Sequence, residues 1–182
     1  MKPASPFIEL RPLQAGELPA LVRLCRQSFR ETYETATDPL DVRLYTDQAF
    51  RPVVLEQAWL SGESGFQLLW QGSRALGYLQ SRVSVLEGSP PAPPGLELER
   101  LYLLQGFQGQ GLGRRLLEAA LVQARRLQLG YLWLSVWNRN ERALGFYRHE
   151  GFRKAGETLF LLGRQLQFDD LMRLDLPEVT GS

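Results

Sequence analysis

Four glycines crowd one short stretch of this chain of 182 residues. Gly106, Gly109, Gly111 and Gly113 follow the apolar run Leu96–Leu104. Directly after them Leu112, Leu116, Leu117, Ala120, Ala124 and Leu127 recur at helical spacing. A turn of this kind gathers backbone N–H groups and the positive end of a helix dipole at one point, which suits a phosphate. Glycine lets the ligand come close and supplies the backbone angles a tight turn needs. A P-loop would continue Gly-Lys-Ser/Thr, but Gly113 is followed by Arg114 and Arg115. A dinucleotide fingerprint would read GxGxxG. Here Gly109-Gln110-Gly111 runs on into Leu112, Gly113 and Arg114, and Leu127–Leu134 holds no carboxylate for a ribose. What remains is Gln108-Gly109-Gln110-Gly111-Leu112-Gly113, a Q-x-x-G-x-G turn. It reads either as a pyrophosphate cradle or as a plain strand–helix turn.

Groups that could move protons lie on both sides of that turn. Upstream, Glu97 and Glu99 alternate with Leu96 and Leu98, as on a half-buried strand. The alternation breaks at Arg100-Leu101. A β-bulge near Arg100–Tyr102 would restore both faces and leave backbone groups unpaired; the alternative is a strand end buried on both faces. Downstream runs Val136-Trp137-Asn138-Arg139-Asn140-Glu141-Arg142-Ala143-Leu144-Gly145-Phe146-Tyr147, then Gly151-Phe152. Asn140 and Tyr147 are two helical turns apart and share a face. Asn140 also fits a helix cap, and Tyr147 a half-buried core tyrosine. A tyrosine with its ordinary pKa of about 10 stays protonated and can donate at neutral pH. Cys25 is the one cysteine, so there is no internal disulfide, and it shares an apolar stripe with Leu21, Val22 and Phe29. With His149 as the one histidine, a zinc site is not expected.

The elements that must position these groups follow from periodicity and punctuation. Phe7–Arg11 reads as a strand. A helix starts at Gly16-Glu17-Leu18-Pro19 and presents Leu21, Leu24, Cys25, Ser28 and Phe29. Asp38-Pro39 reads as an N-cap with Pro at N1, and Asp41 takes the place of the Glu of a capping box. Pro52 opens a third helix, Val53–Leu60. Gly65–Gln71 and Arg74–Val85 flank the turn Gly72-Ser73. Ser89–Gly95 is a proline-rich connector. Strand Leu96–Leu104, helix Leu112–Gln128 and strand Tyr131–Trp137 make a parallel β–α–β unit. A short helix, Asn140–His149, stops at Gly151, and Phe152–Leu162 and Gln165–Leu174 read as an antiparallel hairpin. Pro177–Ser182 reads as a frayed tail.

Composition narrows the field. Lys and Arg number 21 against 20 Asp and Glu, so no basic excess points to nucleic acid. No apolar run approaches a membrane span, and Met1-Lys2-Pro3-Ala4-Ser5-Pro6 does not open a signal peptide. A cytoplasmic protein without a membrane partner is expected. The length fits one domain with a substantial core.

The Q-x-x-G-x-G turn resembles the pyrophosphate loop of the GNAT superfamily, the acetyl-CoA-dependent N-acetyltransferases. The pattern N-x-x-A-x-x-x-Y-x-x-x-G-F over Asn140–Phe152 resembles that superfamily's second acetyl-CoA motif. Ser28–Tyr33, Leu44–Phe50, Gly77-Tyr78, Glu99–Leu104, Ser135–Trp137 and the ending Gly156–Leu174 are similar to a PaiA-like branch, linked to acetylation of spermidine and spermine. The resemblance implies an α/β (α+β) fold. It implies a single GNAT-type domain over 1–176, with 177–182 as a flexible tail. A mixed, largely antiparallel sheet of about seven strands would be flanked by helices, with a strand pair splayed at the acetyl-CoA site. Acetyl-CoA would be the co-substrate, with no metal. Backbone at Gln108, Gly109, Gln110, Gly111, Leu112, Gly113 and Arg114 would hold the pyrophosphate, with charge from Arg114 and Arg115. Main chain at Leu101, Tyr102 and Leu103 would hold pantetheine and polarise the thioester carbonyl, and Asn140 would bond the pantetheine arm. Tyr147 would be the general acid to the thiolate.

A base must still deprotonate the amine, whose ammonium has a pKa of about 10. Glu99 is the choice over Glu97, acting directly or through water. In the branch that acetylates ribosomal-protein N-termini the base is a Glu five residues before the motif Asn; that position is Ser135 here. Glu31, Glu34, Asp38, Asp41 and Asp47 are dense where the superfamily builds its acceptor pocket, and could surround a polycation or form a solvated face. Tyr33 and Trp137 could line an acceptor slot or simply pack. The expected reaction is transfer to a small primary amine, with a polyamine as the candidate acceptor. A protein N-terminus or lysine, or a non-catalytic acyl-CoA-binding module, are the alternatives. The C-terminal hairpin is the candidate contact of a homodimer.

Overall fold

Alternating apolar side chains build a central sheet that separates two cores. The computed structural model describes residues 7–86 and 93–177. Its strands are β1 (Ile8–Pro12), β2 (Ser64–Gln71), β3 (Arg74–Ser84), β4 (Gly95–Leu103), β5 (Tyr131–Trp137), β6 (Arg153–Leu162) and β7 (Gln165–Asp175). They lie in the order β1-β2-β3-β4-β5-β7-β6. The helices are α1 (Leu18–Tyr33), α2 (Pro39–Ala49), α3 (Pro52–Leu60), α4 (Leu112–Arg126) and α5 (Glu141–His149). On one face Leu112, Leu116, Leu117, Ala120 and Ala124 of α4 pack on Leu96, Leu98, Leu132, Leu134 and Val136. On the other, Leu21, Leu24, Cys25, Phe29 and Tyr33 of α1 pack on Phe66, Leu68, Tyr78 and Trp137. Each stripe recurs at three- and four-residue intervals, so burial and helical geometry agree.

One pairing creates the site. Every neighbouring pair of strands is antiparallel except β4 and β5. These run parallel and meet only at Leu96↔Leu132 and Glu97↔Trp133. Beyond that point β4 follows β3 to Leu103, while β5 follows β7 to Trp137. The two strands therefore diverge, and a wedge opens between them. The bulge sits at Glu99: Ser81 faces Leu98, Gln80 faces Arg100, and Glu99 is the inserted residue. It falls just before the expected Arg100–Tyr102, because the broken alternation becomes visible only downstream of the insertion.

The punctuation holds with one correction. Asp38 caps α2, its carboxylate accepting from Leu40 N at 2.8 Å. Asp41 does not complete a capping box. It accepts instead from Arg164, from the backbone N at 2.9 Å and from Nε at 2.8 Å, and so ties α2 to the β6–β7 turn. Most of the Ser89–Gly95 connector, and 178–182 of the expected tail, lie outside the described residues. Among the described residues no helix is long and apolar enough to cross a membrane.

Candidate active site

The wedge between β4 and β5 is a cleft of about 720 Å³. It runs from the glycine turn, past α5 and the end of β5, to Glu31 and Tyr33 of α1. A shallow depression over Thr35–Asp41 and Arg164 carries none of the residues expected to do chemistry.

The glycine turn has the conformation an anion needs. Gly109 and Gly111 both sit at φ 77°, where a side chain would be strained, and a Cβ at either would meet no atom within 4 Å. Gly111 is the N-cap of α4, and no carboxylate occupies the first turn. The first helical N–H engaged at this end is that of Arg115, to Gly111 O at 3.3 Å. No described residue accepts from the amides of Leu112, Gly113 or Arg114, so these orphan donors face outward as an anion seat. Leu112 contributes only its amide, because its side chain is in the core. Gln108 and Gln110 brace the turn, Gln108 Nε2 donating to Leu103 O at 3.1 Å and Gln110 Nε2 to Gly106 O at 3.1 Å. Arg114 stands at the mouth, 3.3 Å from Glu118 and 4.0 Å from Glu150. Arg115 turns away, its Nη2 donating to Ile8 O at 3.0 Å, so only one of the two arginines faces the cleft.

Along β4 the open edge alternates. Leu104 N donates to Leu76 O on the β3 side at 2.9 Å. Strand alternation therefore turns the Tyr102 amide toward β3 and the Leu101 and Leu103 amides toward the cleft. Leu103 O, already bonded to Gln108, marks the same side. Of the three residues expected at this edge, Leu101 and Leu103 turn their amides to the cleft, and Tyr102 turns its amide to β3. Tyr102 contributes its ring, stacked at 5.9 Å on Tyr78.

Across the cleft, Asn140 is both cap and free donor. Its Oδ1 accepts from Ala143 N at 3.1 Å, while Nδ2 has no partner among the described residues. Tyr147 lies on the same helix, buried against Phe146 and Phe152 at ring separations of 5.1 and 5.4 Å. Burial raises its pKa well above the ordinary tyrosine value, so the phenol is held protonated. Its hydroxyl has no protein partner among the described residues.

The two glutamates separate clearly. Glu97 is bonded to Arg82 Nε at 2.7 Å and Ser84 Oγ at 2.9 Å, away from the cleft. Glu99 lines the cleft, its Oε2 accepting from Ser64 Oγ at 2.5 Å and Gln80 Nε2 at 3.0 Å. The acidic group around α1 and α2 is not gathered at the cleft. Asp38 and Asp41 hold Arg164 and Asp47 holds Arg26; Glu31 lines the cleft and accepts from Gln105 N at 2.7 Å. Tyr33 and Trp137 line the cleft and pack together, ring centroids 5.6 Å apart.

Two residues escaped the reading of the sequence. Arg100 also lines the cleft, with Gln80 Oε1 at 2.6 Å, Tyr45 Oη at 3.4 Å and the Phe50 ring at 5.2 Å. Asp169 is buried on β7 opposite Trp137. Their signals were faint: a cation where β4 loses its alternation, and paired acids inside the apolar hairpin strand.

A wedge with an anion seat at one end, open-edge amides beside it and a protonated phenol across from them is the site of an acyltransferase that takes its acyl group from a coenzyme A thioester. Residues 19–152 match the acetyltransferase (GNAT) family. An uncharacterized N-acetyltransferase of Lactobacillus delbrueckii subsp. lactis is 32% identical over 157 residues, covering 86% of this chain and 91% of that protein. The PaiA N-acetyltransferase of Thermoplasma acidophilum, solved with coenzyme A, superposes with a TM-score of 0.77 at 20% identity, over 93% of this chain and 99% of that one. The ribosomal-protein-S18-alanine N-acetyltransferase of Escherichia coli has a TM-score of 0.64 at 19% identity, over 97% of each chain. The chain belongs to the GNAT family and is an N-acetyltransferase that uses acetyl-CoA.

Proposed function

We propose that the enzyme acetylates a small primary amine by direct attack in a ternary complex. Acetyl-CoA supplies the activated acetyl group and a thiolate leaving group. The amides of Leu112, Gly113 and Arg114 hold its pyrophosphate, with Gly109 and Gly111 shaping the turn. The amides of Leu101 and Leu103 bind the pantetheine edge and polarise the carbonyl. Asn140 Nδ2 orients the same arm. Tyr147 protonates the departing sulfur, and Glu99 accepts the amine's proton directly or through water. The buried, protonated Tyr147 facing the open edge of β4 is the observation that carries this reading.

Spermidine and spermine are the acceptors to try first. Glu31 and Glu99 face the cleft and would attract a cationic chain, Glu99 with only a long 3.7 Å contact to Arg82, whereas Asp38, Asp41 and Asp47 lie outside the cleft and hold arginines. The C-terminal hairpin exposes Leu159, Leu161, Leu166 and Phe168, the surface we assign to a homodimer contact. The test of function is thiol release from acetyl-CoA with a panel of spermidine, spermine, simple alkylamines and a short N-terminal peptide. Release driven by amines is expected. Release with the peptide alone would move the acceptor to a protein. Tight acetyl-CoA binding with no release for any amine would leave a binding module.

A further inference from the structure

On the α1 face of the sheet, β5 presents Trp133, Ser135 and Trp137 in alternation. Both tryptophans are buried and Ser135 is exposed to the cleft. On the neighbouring strand Asp169 pairs in register with Trp137 and so shares this face. It is 5% exposed, and its Oδ1 is enclosed with no partner among the described residues. Ser135 acts on it as a hydrogen-bonding side chain. Its sequence neighbour Asp170 holds Lys154 Nζ at 2.7 Å, but no cation of the described residues forms an ion pair with Asp169. An enclosed carboxylate lacking both a cation and a full set of hydrogen bonds is costly to keep for structure alone.

We propose that Ser135 and Asp169 form a proton-accepting couple on the β5 wall, Ser135 touching the acceptor amine and Asp169 acting through it as the positioning group that receives the proton. This rests on reading the cleft as the site of amine acetylation. As the amine nitrogen bonds to the acetyl carbon, its N–H proton passes to Ser135 Oγ and the Ser135 hydroxyl proton passes to Asp169. The carbon–sulfur bond breaks and Tyr147 delivers its proton to the sulfur. Exchange with solvent then removes one proton from Asp169 and returns one to Tyr147, so the cycle balances. Glu99 stands on the opposite, β4 wall, held by Ser64 and Gln80; it takes the earlier proton, the one whose loss turns the ammonium into a free amine, and the couple takes the second as the amide forms.

The surroundings suit this task. Burial lifts the Asp169 pKa to about 6, with Asp170 adding repulsion and Ser135 opposing the rise. Tyr33 on α1 feels the Asp169 charge, and Thr158 on β6 lies opposite it in register. A carboxylate of that strength is ionised at neutral pH yet accepts a proton more readily than an ordinary aspartate.

The experiment follows kcat/KM against pH, by thiol release with the fastest amine of the panel, for wild type, Asp169→Asn, Ser135→Ala, Ser135→Thr and Glu99→Gln. Wild type is expected to lose activity below about pH 6. Asp169→Asn and Ser135→Ala should lower turnover about 100-fold near neutral pH with acetyl-CoA binding unchanged, and Asp169→Asn should abolish the inflection. Ser135→Thr, which keeps the hydroxyl, should restore most of the rate. An inflection and rate that survive Asp169→Asn but vanish in Glu99→Gln would overturn the couple. A readout independent of turnover is the ¹³C resonance of the Asp169 carboxyl, identified by its loss in Asp169→Asn. It should titrate near pH 6 and move upward in Ser135→Ala, which folds without altering the buried carboxylate. Titration at an ordinary aspartate value would sink the proposal even if no amine in the panel is acetylated; silence of the panel alone counts against the acceptor reading.

Discussion

The role of acid proposed for Tyr147 draws on a fold that keeps the phenol from ionising. Its ring is enclosed by Phe146 and Phe152, and burial alone raises its pKa. Tyr147→Phe keeps that packing and removes only the hydroxyl. Turnover should fall about 100-fold while acetyl-CoA affinity, measured by calorimetry, changes less than about twofold. Unchanged turnover would remove Tyr147 from the acid's role. Burial tunes Asp169 in the same direction, and there its cost is measurable. A carboxyl whose native pKa is lifted to about 6 binds its proton more tightly when folded than when unfolded. Its penalty is absent below about pH 4, where both states are protonated, grows as the pH rises toward 6, and is full above that. The ceiling is about 3 kcal/mol, from the rise above the ordinary value of about 3.9. Asp169→Asn should therefore unfold at a higher urea concentration than wild type at about pH 8, by about 1–3 kcal/mol, with the gain vanishing near pH 4. A variant more stable and less active at once is what a residue kept for chemistry produces.

At the scale of elements, the junction of β4 with α4 is built from backbone geometry. Gly111 at φ 77° lets the chain turn so that the first amides of α4 face the cleft. Alanine at Gly111 meets no neighbour but must adopt a left-handed conformation, costing about 1–2 kcal/mol. The lowest-cost relief is to rotate the turn, which disperses the three amides. Gly111→Ala should therefore weaken acetyl-CoA binding about tenfold or more in a titration, whereas Gly106→Ala, at a position with free space and no positive φ, should leave it near wild type. This junction was legible in the sequence because glycine spacing and helical periodicity are local signals. Asn140 was legible as a cap for the same reason; its Oδ1 caps α5, which leaves Nδ2 for the donor role proposed above. The open edge of β4 was not fully legible. Which of Leu101, Tyr102 and Leu103 offers its amide depends on the pairing register with β3, which a bulge at Glu99 resets. Asp169 was beyond a sequence reading, because its enclosure comes from β5, β6 and α1 together.

The whole molecule divides its labour across the sheet. The core beneath α4 backs the proposed donor end and the core beneath α1 the proposed acceptor end, with the strands between them and Phe107 packed against both. The acidic residues between α1 and α2 looked from their density like an acceptor pocket. Their partners show another use: Asp38 and Asp41 fasten Arg164 of the β6–β7 turn, closing the acceptor layer over the hairpin that carries Asp169. Gly163 makes this closure possible. It sits at φ 61°, and a Cβ there would lie 2.5 Å from Asp41 Cα. Gly163→Ala cannot be absorbed by a side-chain movement, since the clash is with backbone. It should push α2 off the hairpin and cost about 2–4 kcal/mol, or roughly 5–15 °C in melting temperature for a chain of this size. The donor core lies on the far side of the sheet and shares none of these contacts. Acetyl-CoA affinity at 25 °C should then stay within about twofold of wild type while the KM for the amine rises several-fold. Equal losses on both sides would mean that the sheet transmits the disturbance and that the two halves of the cleft are one mechanical unit.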